Sequence, residues 1–393
     1  MTVAKKIEMM QSRQSWIRKM FEEGAKLKAK HGAKNVFDFS LGNPNLPPPD
    51  RFKEVLLDLI QFSKPGDHGY MPNIGYPFVR EAVAGYLSKE QKTPVTQDEV
   101  IMTCGAAGAL NVTLKTILDP QDEVICPAPY FVEYNTYVDN HGGILKTVST
   151  RPGFSLDLDA ISDAITEKTK AVLINSPNNP TGQVYPEESL KHLGTLLSEK
   201  GRSMNRTLYL ISDEPYRKIV YDGVSVPSIF PCYKDSIIVT SYSKDLSIPG
   251  ERIGFIAVNP GATHRQSLLG GLALANRILG FVNAPALMQR AVAKLQGVQA
   301  DLAAYARKRK LLCDGMAECG YEFTQPRGAF YLFPKSPIPD DVKFVQALQE
   351  ELILAVPGSG FMGPGHFRVA FCVDDETIIN ALPGFRRTIK KFQ

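Results

Sequence analysis

Short apolar runs rich in β-branched residues recur through the middle of the chain, and each gives way to a turn or to a stretch with helical spacing. Val100-Ile101-Met102-Thr103-Cys104, Glu123-Val124-Ile125-Cys126, Ala171-Val172-Leu173-Ile174, Thr207-Leu208-Tyr209-Leu210-Ile211-Ser212 and Ser236-Ile237-Ile238-Val239-Thr240 read as strands buried on both faces. Strands alternating with helices over about 94–259 predict the α/β class, with a three-layer α/β/α large domain around a mostly parallel sheet. Ahead of it, Met9, Met10, Trp16, Ile17, Met20, Phe21 and Leu27 recur at helical spacing and predict one amphipathic helix over 7–31. A short strand over 37–41 follows. Gly42-Asn43-Pro44-Asn45-Leu46-Pro47-Pro48-Pro49 is irregular, because proline fixes φ and removes a donor. A helix over 78–89 is expected to carry Arg80 on its polar side.

After Asn283-Ala284-Pro285 the pattern changes to one long helix ending near Glu318, strands at 321–323 and 329–333, a helix near 342–352 and a last strand at 366–372. This tail predicts a smaller α+β domain assembled from the N- and C-terminal segments. The expected division is 1–45 (helix and arm of the small domain), 46–285 (large domain) and 286–393 (small domain).

Composition narrows the function classes. Of 393 residues, 44% are hydrophobic and 22% charged, as in ordinary globular proteins, and a net charge of +4 favours neither nucleic acid nor a membrane surface. The six cysteines form no CxxC pair and the six histidines no HExxH, so neither a metal nor a disulfide framework is expected. No signal-peptide core and no apolar run of membrane-spanning length is present. A cytoplasmic location is the expectation.

The chemistry concentrates in Ser241-Tyr242-Ser243-Lys244-Asp245-Leu246-Ser247-Ile248-Pro249-Gly250-Glu251-Arg252-Ile253-Gly254-Phe255, just past the 236–240 strand. A lysine at the end of a buried strand loses solvation, which lowers its pKa toward the neutral amine that Schiff-base chemistry needs. The hydroxyls of Ser241 and Ser243 and the Arg252 guanidinium together suit a phosphate dianion. Taken alone, the stretch reads more readily as a Ser-rich turn with a solvated lysine. Gly105-Ala106-Ala107 turns a strand directly into a helix, leaving backbone N–H groups and the helix dipole for an anion. Neither GxGxxG nor GxxxxGK[ST] occurs, which disfavours nucleotides. Asp213 ends a strand where open α/β sheets bind ligands, and reads as a partner for a buried cation or as a helix N-cap. By themselves Phe131 reads as core and Tyr70 as a surface anchor. Arg368, inside an apolar strand, needs a partner.

With SxSK followed by GERIG, and with Asn175-Ser176-Pro177-Asn178-Asn179-Pro180-Thr181-Gly182 close to NPNNPTG, the chain resembles the class I/II aminotransferases, fold-type-I enzymes dependent on pyridoxal 5′-phosphate (PLP). The resemblance runs in order along nearly the whole sequence. It implies Lys244 as the Schiff-base lysine, Asp213 against the pyridine nitrogen, and Tyr216 and Asn179 on the phenolic oxygen. It further implies Phe131 stacked on the ring, and Gly105, Ala106, Ala107, Ser241, Ser243 and Arg252 around the phosphate. Gly42, Asn179 and Arg368 are implied at the substrate carboxylate. Tyr70 is implied to reach the phosphate of a neighbouring subunit, hence a homodimer. The implied activity is transfer of an amino group between an L-amino acid and a 2-oxo acid, with 2-oxoglutarate/glutamate as one pair. A β-eliminating C–S lyase or related synthase would share these residues, and a non-catalytic PLP-binding regulator is a further alternative. Arg277 is the nearest basic residue for a second substrate carboxylate, or else a solvated helix arginine.

Overall fold

The computed structural model describes residues 2–12 and 16–393. In chain order the first elements are α1 (Lys5–Ser12), α2 (Trp16–His31), β1 (Phe37–Asp38), α3 (Asp50–Gln61) and α4 (Pro77–Gln91). Residues 13–15, and the side chains of Ile17 and Phe21 expected on the apolar face, lie outside the described ones. The first strand is shorter than expected. It is confined to Phe37–Asp38, which pairs in parallel with 353–354.

In α4 the apolar residues Val79, Val83 and Leu87 are buried as expected, but two positions depart from the reading. Phe78 is 52% exposed while Arg80 is buried, donating from Nη1 to Gln97 O at 2.7 Å. The Arg80 aliphatic stem packs inward and its charge finds a carbonyl, so an arginine in the sequence did not mark the wet face.

The large domain then runs β2 (Val100–Thr103), α5 (Gly105–Ile117), β3 (Glu123–Ala128), α6 (Glu133–Asp139), β4 (Ile144–Ser149), α7 (Leu158–Ala164), β5 (Thr169–Asn175), α8 (Glu187–Ser203), β6 (Tyr209–Asp213), β7 (Ser236–Ser241), β8 (Gly254–Val258) and α9 (Arg265–Ile278). Its seven strands lie in the order β2-β8-β7-β6-β5-β3-β4. Neighbours from β7 through β4 are parallel, while β8 runs antiparallel to both β7 and β2. Alternate residues feed opposite faces, as the period of two demands. Val172, Ile174 and Ile238 pack in one core cluster, and Ala171, Leu173, Ile237 and Val239 in another. Helices cover both faces, which gives the three layers.

The expected long helix after Pro285 is two helices, α10 (Ala286–Ala293) and α11 (Leu302–Glu318). Gly297 takes the left-handed region with φ 83°, and the Asp301 side chain caps α11 by accepting from Ala304 N. A turn and a cap thus override a continuous apolar period. α10 packs on the large-sheet core through Met288, Ala291 and Val292.

The tail continues with β9 (Tyr331–Leu332), α12 (Asp341–Glu350), β10 (Ile353–Leu354), β11 (Val356–Pro357), β12 (Phe367–Ala370) and α13 (Asp375–Lys390). Residues 321–323 are not a strand. Tyr321 is buried there as a core ring against Phe344, Phe367 and Phe385. A third cluster joins Met20 and Phe39 from the N-terminal segment to Tyr305, Phe330, Phe344, Phe367 and Phe385. Met20 and Phe39 thus share one core with the tail.

Candidate active site

The carboxyl ends of the parallel strands meet at one edge, where the pleat stops and side chains are free to converge. Asn175 closes β5, Asp213 closes β6 and Ser241 closes β7, while β2 passes into α5 within two residues. Because β8 runs the other way, its start lies at this same edge and delivers Arg252, which adopts φ 51°. Gly254 makes this approach possible: a Cβ there would strike Thr240 O and come within 2.9 Å of the Gly105 backbone. Gly105 itself has φ 73°, and a Cβ on it would sit 2.9 Å from Arg252 Nη2. The guanidinium therefore lies on the first turn of α5. Cys104, the N-cap residue, makes no side-chain cap hydrogen bond, so that turn keeps its donors for an anion.

A cleft of about 250 Å³ opens along the edge. Ala106, Ala107, Ser241, Ser243 and Arg252 line its cationic end, and Phe131 one wall. Asn179, Asp213, Tyr216 and Lys244 form the floor, with Gly42 and Arg368 on the side of the small domain. Lys244 Nζ donates to Gly42 O at 2.6 Å and lies 5.5 Å from the Phe330 ring centre. Burial lowers its pKa to about 8, against the Cys372 thiolate form and helped by the charges of Arg368 and Arg252.

Asp213 is 5% exposed, and burial pushes it up to about 7, with the Tyr134 hydrogen bond pulling down and Glu214 pushing further up. Its Oδ2 accepts from the Tyr134 hydroxyl at 2.5 Å, whereas Oδ1 is buried without a partner. Asn175 holds the turn below by donating to Asp213 O at 2.8 Å and accepting from Asn179 N at 2.7 Å.

Arg368 is 2% exposed and lies between the Tyr331 and Phe361 rings, 4.6 Å from each centre. Nη1 donates to Asn179 Oδ1 at 2.9 Å and Nη2 to Ser40 O at 2.6 Å, leaving Nε unpaired. Tyr216 and Tyr331 share a hydrogen bond of 2.8 Å. A Cβ on Gly42 would collide with the Tyr331 hydroxyl, so that approach requires glycine.

Of the residues singled out in the sequence, the cleft lining lacks Tyr70, which is 94% exposed, Arg277, which is exposed near the end of α9, and Gly105, which lies behind Arg252. Sequence reasoning missed Tyr134, Asn175 and Tyr331. Tyr134 carried a signal, three residues past Phe131 at the start of α6 and so on the same side of that turn, and Asn175 stood at the head of a motif already noted. Tyr331 lay hidden in an aromatic run that read as core.

The donor set fits PLP. The orphaned Oδ1 of Asp213 suits a pyridinium N–H, and the Gly105–Arg252 cradle suits a phosphate. A family model of the aminotransferases of class I and II matches residues 34–384. The aspartate/prephenate aminotransferase of Thermus thermophilus is 33% identical over 354 residues, covering 88% of this chain and 89% of that protein. A probable aspartate/prephenate aminotransferase of Aquifex aeolicus is 32% identical over 371 residues, covering 91% and 92%. An amino transferase structure from Eubacterium rectale matches all of both chains at 39% identity with a TM-score of 0.97. The aspartate aminotransferase of Thermus thermophilus with maleate matches 99% of this chain and 100% of its own at 29% identity, with a TM-score of 0.87. The cleft chemistry and these likenesses agree: the chain belongs to the class I and II aminotransferases, PLP-dependent enzymes that carry amino groups between amino acids and 2-oxo acids.

Proposed function

We propose that this cleft is the transamination site, with an L-amino acid as donor and 2-oxoglutarate/glutamate as one of the two pairs. The observation that carries the assignment is the unpaired, buried Asp213 Oδ1 in the same cleft as a buried lysine amine. Aspartate is the donor to test first, since relatives bear the names aspartate and aspartate/prephenate aminotransferase.

In this reading Lys244 binds the cofactor covalently. Gly105, Ala106, Ala107, Ser241, Ser243 and Arg252 would hold the phosphate, Phe131 would stack on the ring, Asp213 would pair with the ring nitrogen, and Asn179 and Tyr216 would hold the phenolic oxygen. Bound there, PLP supplies an aldehyde for the amino group and an electron-poor ring for the electron pair left when Cα loses its proton.

The remaining work belongs to the chain. Asp213 keeps a proton on the ring nitrogen by hydrogen bonding to its charged form. Arg368 takes the substrate α-carboxylate in its planar fork, oriented by the two flanking rings, with the Gly42 backbone alongside. Lys244 Nζ, kept partly neutral by burial, accepts the Cα proton as general base and returns it to the cofactor side.

The proposal includes a homodimer in which Tyr70 serves the neighbouring subunit, supported by its exposure and its absence from the lining of its own cleft. It includes two bodies, 1–45 with 286–393 against 46–285, with α10 packed on the core of the larger. A cytoplasmic location completes it. Among the described residues no helix is long and apolar enough to cross a membrane.

The test is to load the protein with PLP, reduce it with borohydride and map the adduct by mass spectrometry. Amino donors are then screened against 2-oxoglutarate. A phosphopyridoxyl group on the Lys244 peptide with glutamate formation is expected. An adduct confined to another lysine refutes the assignment.

A further inference from the structure

Three of the four floor residues are followed in sequence by charged residues that do not line the cleft. Asp213 is followed by Glu214, Tyr216 by Arg217 and Lys218, and Lys244 by Asp245. Behind the floor these charges pair. Lys218 Nζ donates to Asp245 Oδ2 at 2.8 Å, with 14% and 8% of the two side chains exposed. Arg217 reaches Glu214 at 2.9 Å and Glu90 of α4 at 3.6 Å. Pro215 and Ser241 border both the cleft and the space of about 40 Å³ within this layer, so the ions abut the floor directly.

Asp245 is fastened at three points. Besides holding Lys218, its Oδ1 accepts from Leu246 N at 3.0 Å and its carbonyl accepts from Ala300 N at 2.6 Å, in the segment joining α10 to α11. The Lys218 ammonium also lies 4.9 Å from the Tyr86 ring centre. Burial draws that ammonium down, but Asp245, together with Tyr86 and Glu90, raises it above the ordinary lysine value.

A buried ion pair gives little net stability over apolar packing of equal volume. What it adds is direction: it joins two specific atoms, where packed methyl groups tolerate sliding.

We infer that Lys218 and Asp245 are a positioning pair for transamination, tying the turn that carries Tyr216 to the loop that carries Lys244. This rests on the proposed roles of Lys244 and Tyr216. Neither residue lines the cleft, and Arg252, Arg368 and Cys372, whose charges act on Lys244, lie outside the pair.

The experiment compares wild type, Lys218→Met, Asp245→Asn and the double variant. In cofactor-free protein, the rate at which Lys244 captures added PLP is followed by absorbance. In loaded enzyme, kcat and KM are measured with the best donor from the screen. Each single variant should capture PLP about tenfold more slowly and lose about 10- to 100-fold in kcat, with KM within about threefold because Arg368 is untouched. The double variant should lose clearly less than the product of the two single losses, since it leaves no unpaired charge. The inference is overturned if only the melting temperature falls while capture and kcat stay within about twofold of wild type, the mark of a purely structural pair. It is equally overturned if the losses multiply. Should Lys218→Met fail to fold, Asp245→Asn, which keeps its shape and the Leu246 hydrogen bond, decides by the same readouts. Failure of the underlying roles looks different, because wild type itself would then not capture PLP at Lys244.

Discussion

Replacing Tyr134 by phenylalanine isolates one hydroxyl in a place where its worth can be worked out. The ring is fully buried, edge-on to Phe131 at 5.6 Å and stacked on Tyr130 at 6.2 Å, contacts that phenylalanine keeps. What is lost is the 2.5 Å donation to Asp213 Oδ2. Such a bond contributes about 1.5–3 kcal/mol when the acceptor is charged and about 0.5–1.5 kcal/mol when it is neutral. At 1.36 kcal/mol per pH unit, the difference should carry the Asp213 midpoint up by roughly one unit.

The sign follows from linkage. Asp213 titrates at about 7 in the cofactor-free fold, above the roughly 3.9 of an unfolded aspartate, so the fold binds this proton more tightly. The stability it contributes is complete below about pH 4 and is lost as pH rises through 7. In Tyr134→Phe the loss continues to higher pH. The variant should therefore cost about 0.5–1.5 kcal/mol at pH 5 and about 1–1.5 kcal/mol more at pH 9. Urea denaturation of cofactor-free protein at the two pH values measures both. An equal loss at pH 5 and pH 9 would refute the reasoning, because it would mean that the hydroxyl does not distinguish the ionised from the neutral acid.

Asp213→Ala should bind PLP weakly and, at roughly 3–5 kcal/mol for one member of a buried ion pair, lose about two to four decades in rate; a variant within about threefold of wild type would show that the ring nitrogen is not held this way. Arg368→Lys should keep PLP yet lose kcat/KM for both amino and oxo acids, because an ammonium cannot form the planar two-point contact; loss of PLP with retained substrate affinity would reverse the roles of Arg368 and Arg252. Mixing inactive Lys244→Ala with a Tyr70→Phe variant of weakened cofactor binding should create wild-type-like sites as subunits exchange. Exchange seen by mass without such sites would place Tyr70 in its own chain's service.

What could be read from the sequence followed local rules. Strand-end residues such as Asp213 and Lys244 stood out because apolar runs stop just before them, and the period of two located the sheet. What escaped was set by neighbours remote in the chain. Tyr331 meets Tyr216 across 115 positions, and Tyr134 meets Asp213 across 79. No periodicity encodes such meetings. Arg80 and the break between α10 and α11 were misread for a different reason: a single carbonyl acceptor in one case, and a turn with an aspartate cap in the other, outweighed an otherwise regular pattern.

Arg368 closes its hydrogen bonds on Asn179, 189 positions earlier, and on Ser40, 328 positions earlier. The sheet core that frames Lys244 is drawn from Phe52 to Leu295, and all of it leaves the ribosome before the strand bearing Arg368. Domains fold largely as units in the order they are made. A nascent chain thus passes through a stage in which the proposed cofactor cradle exists and the carboxylate reader does not. PLP taken up then would stabilise the sheet by mass action while no amino acid is yet held against it. By this geometry the residues of the proposed cradle are all made before Arg368, so the reader is the last part of the site to be added.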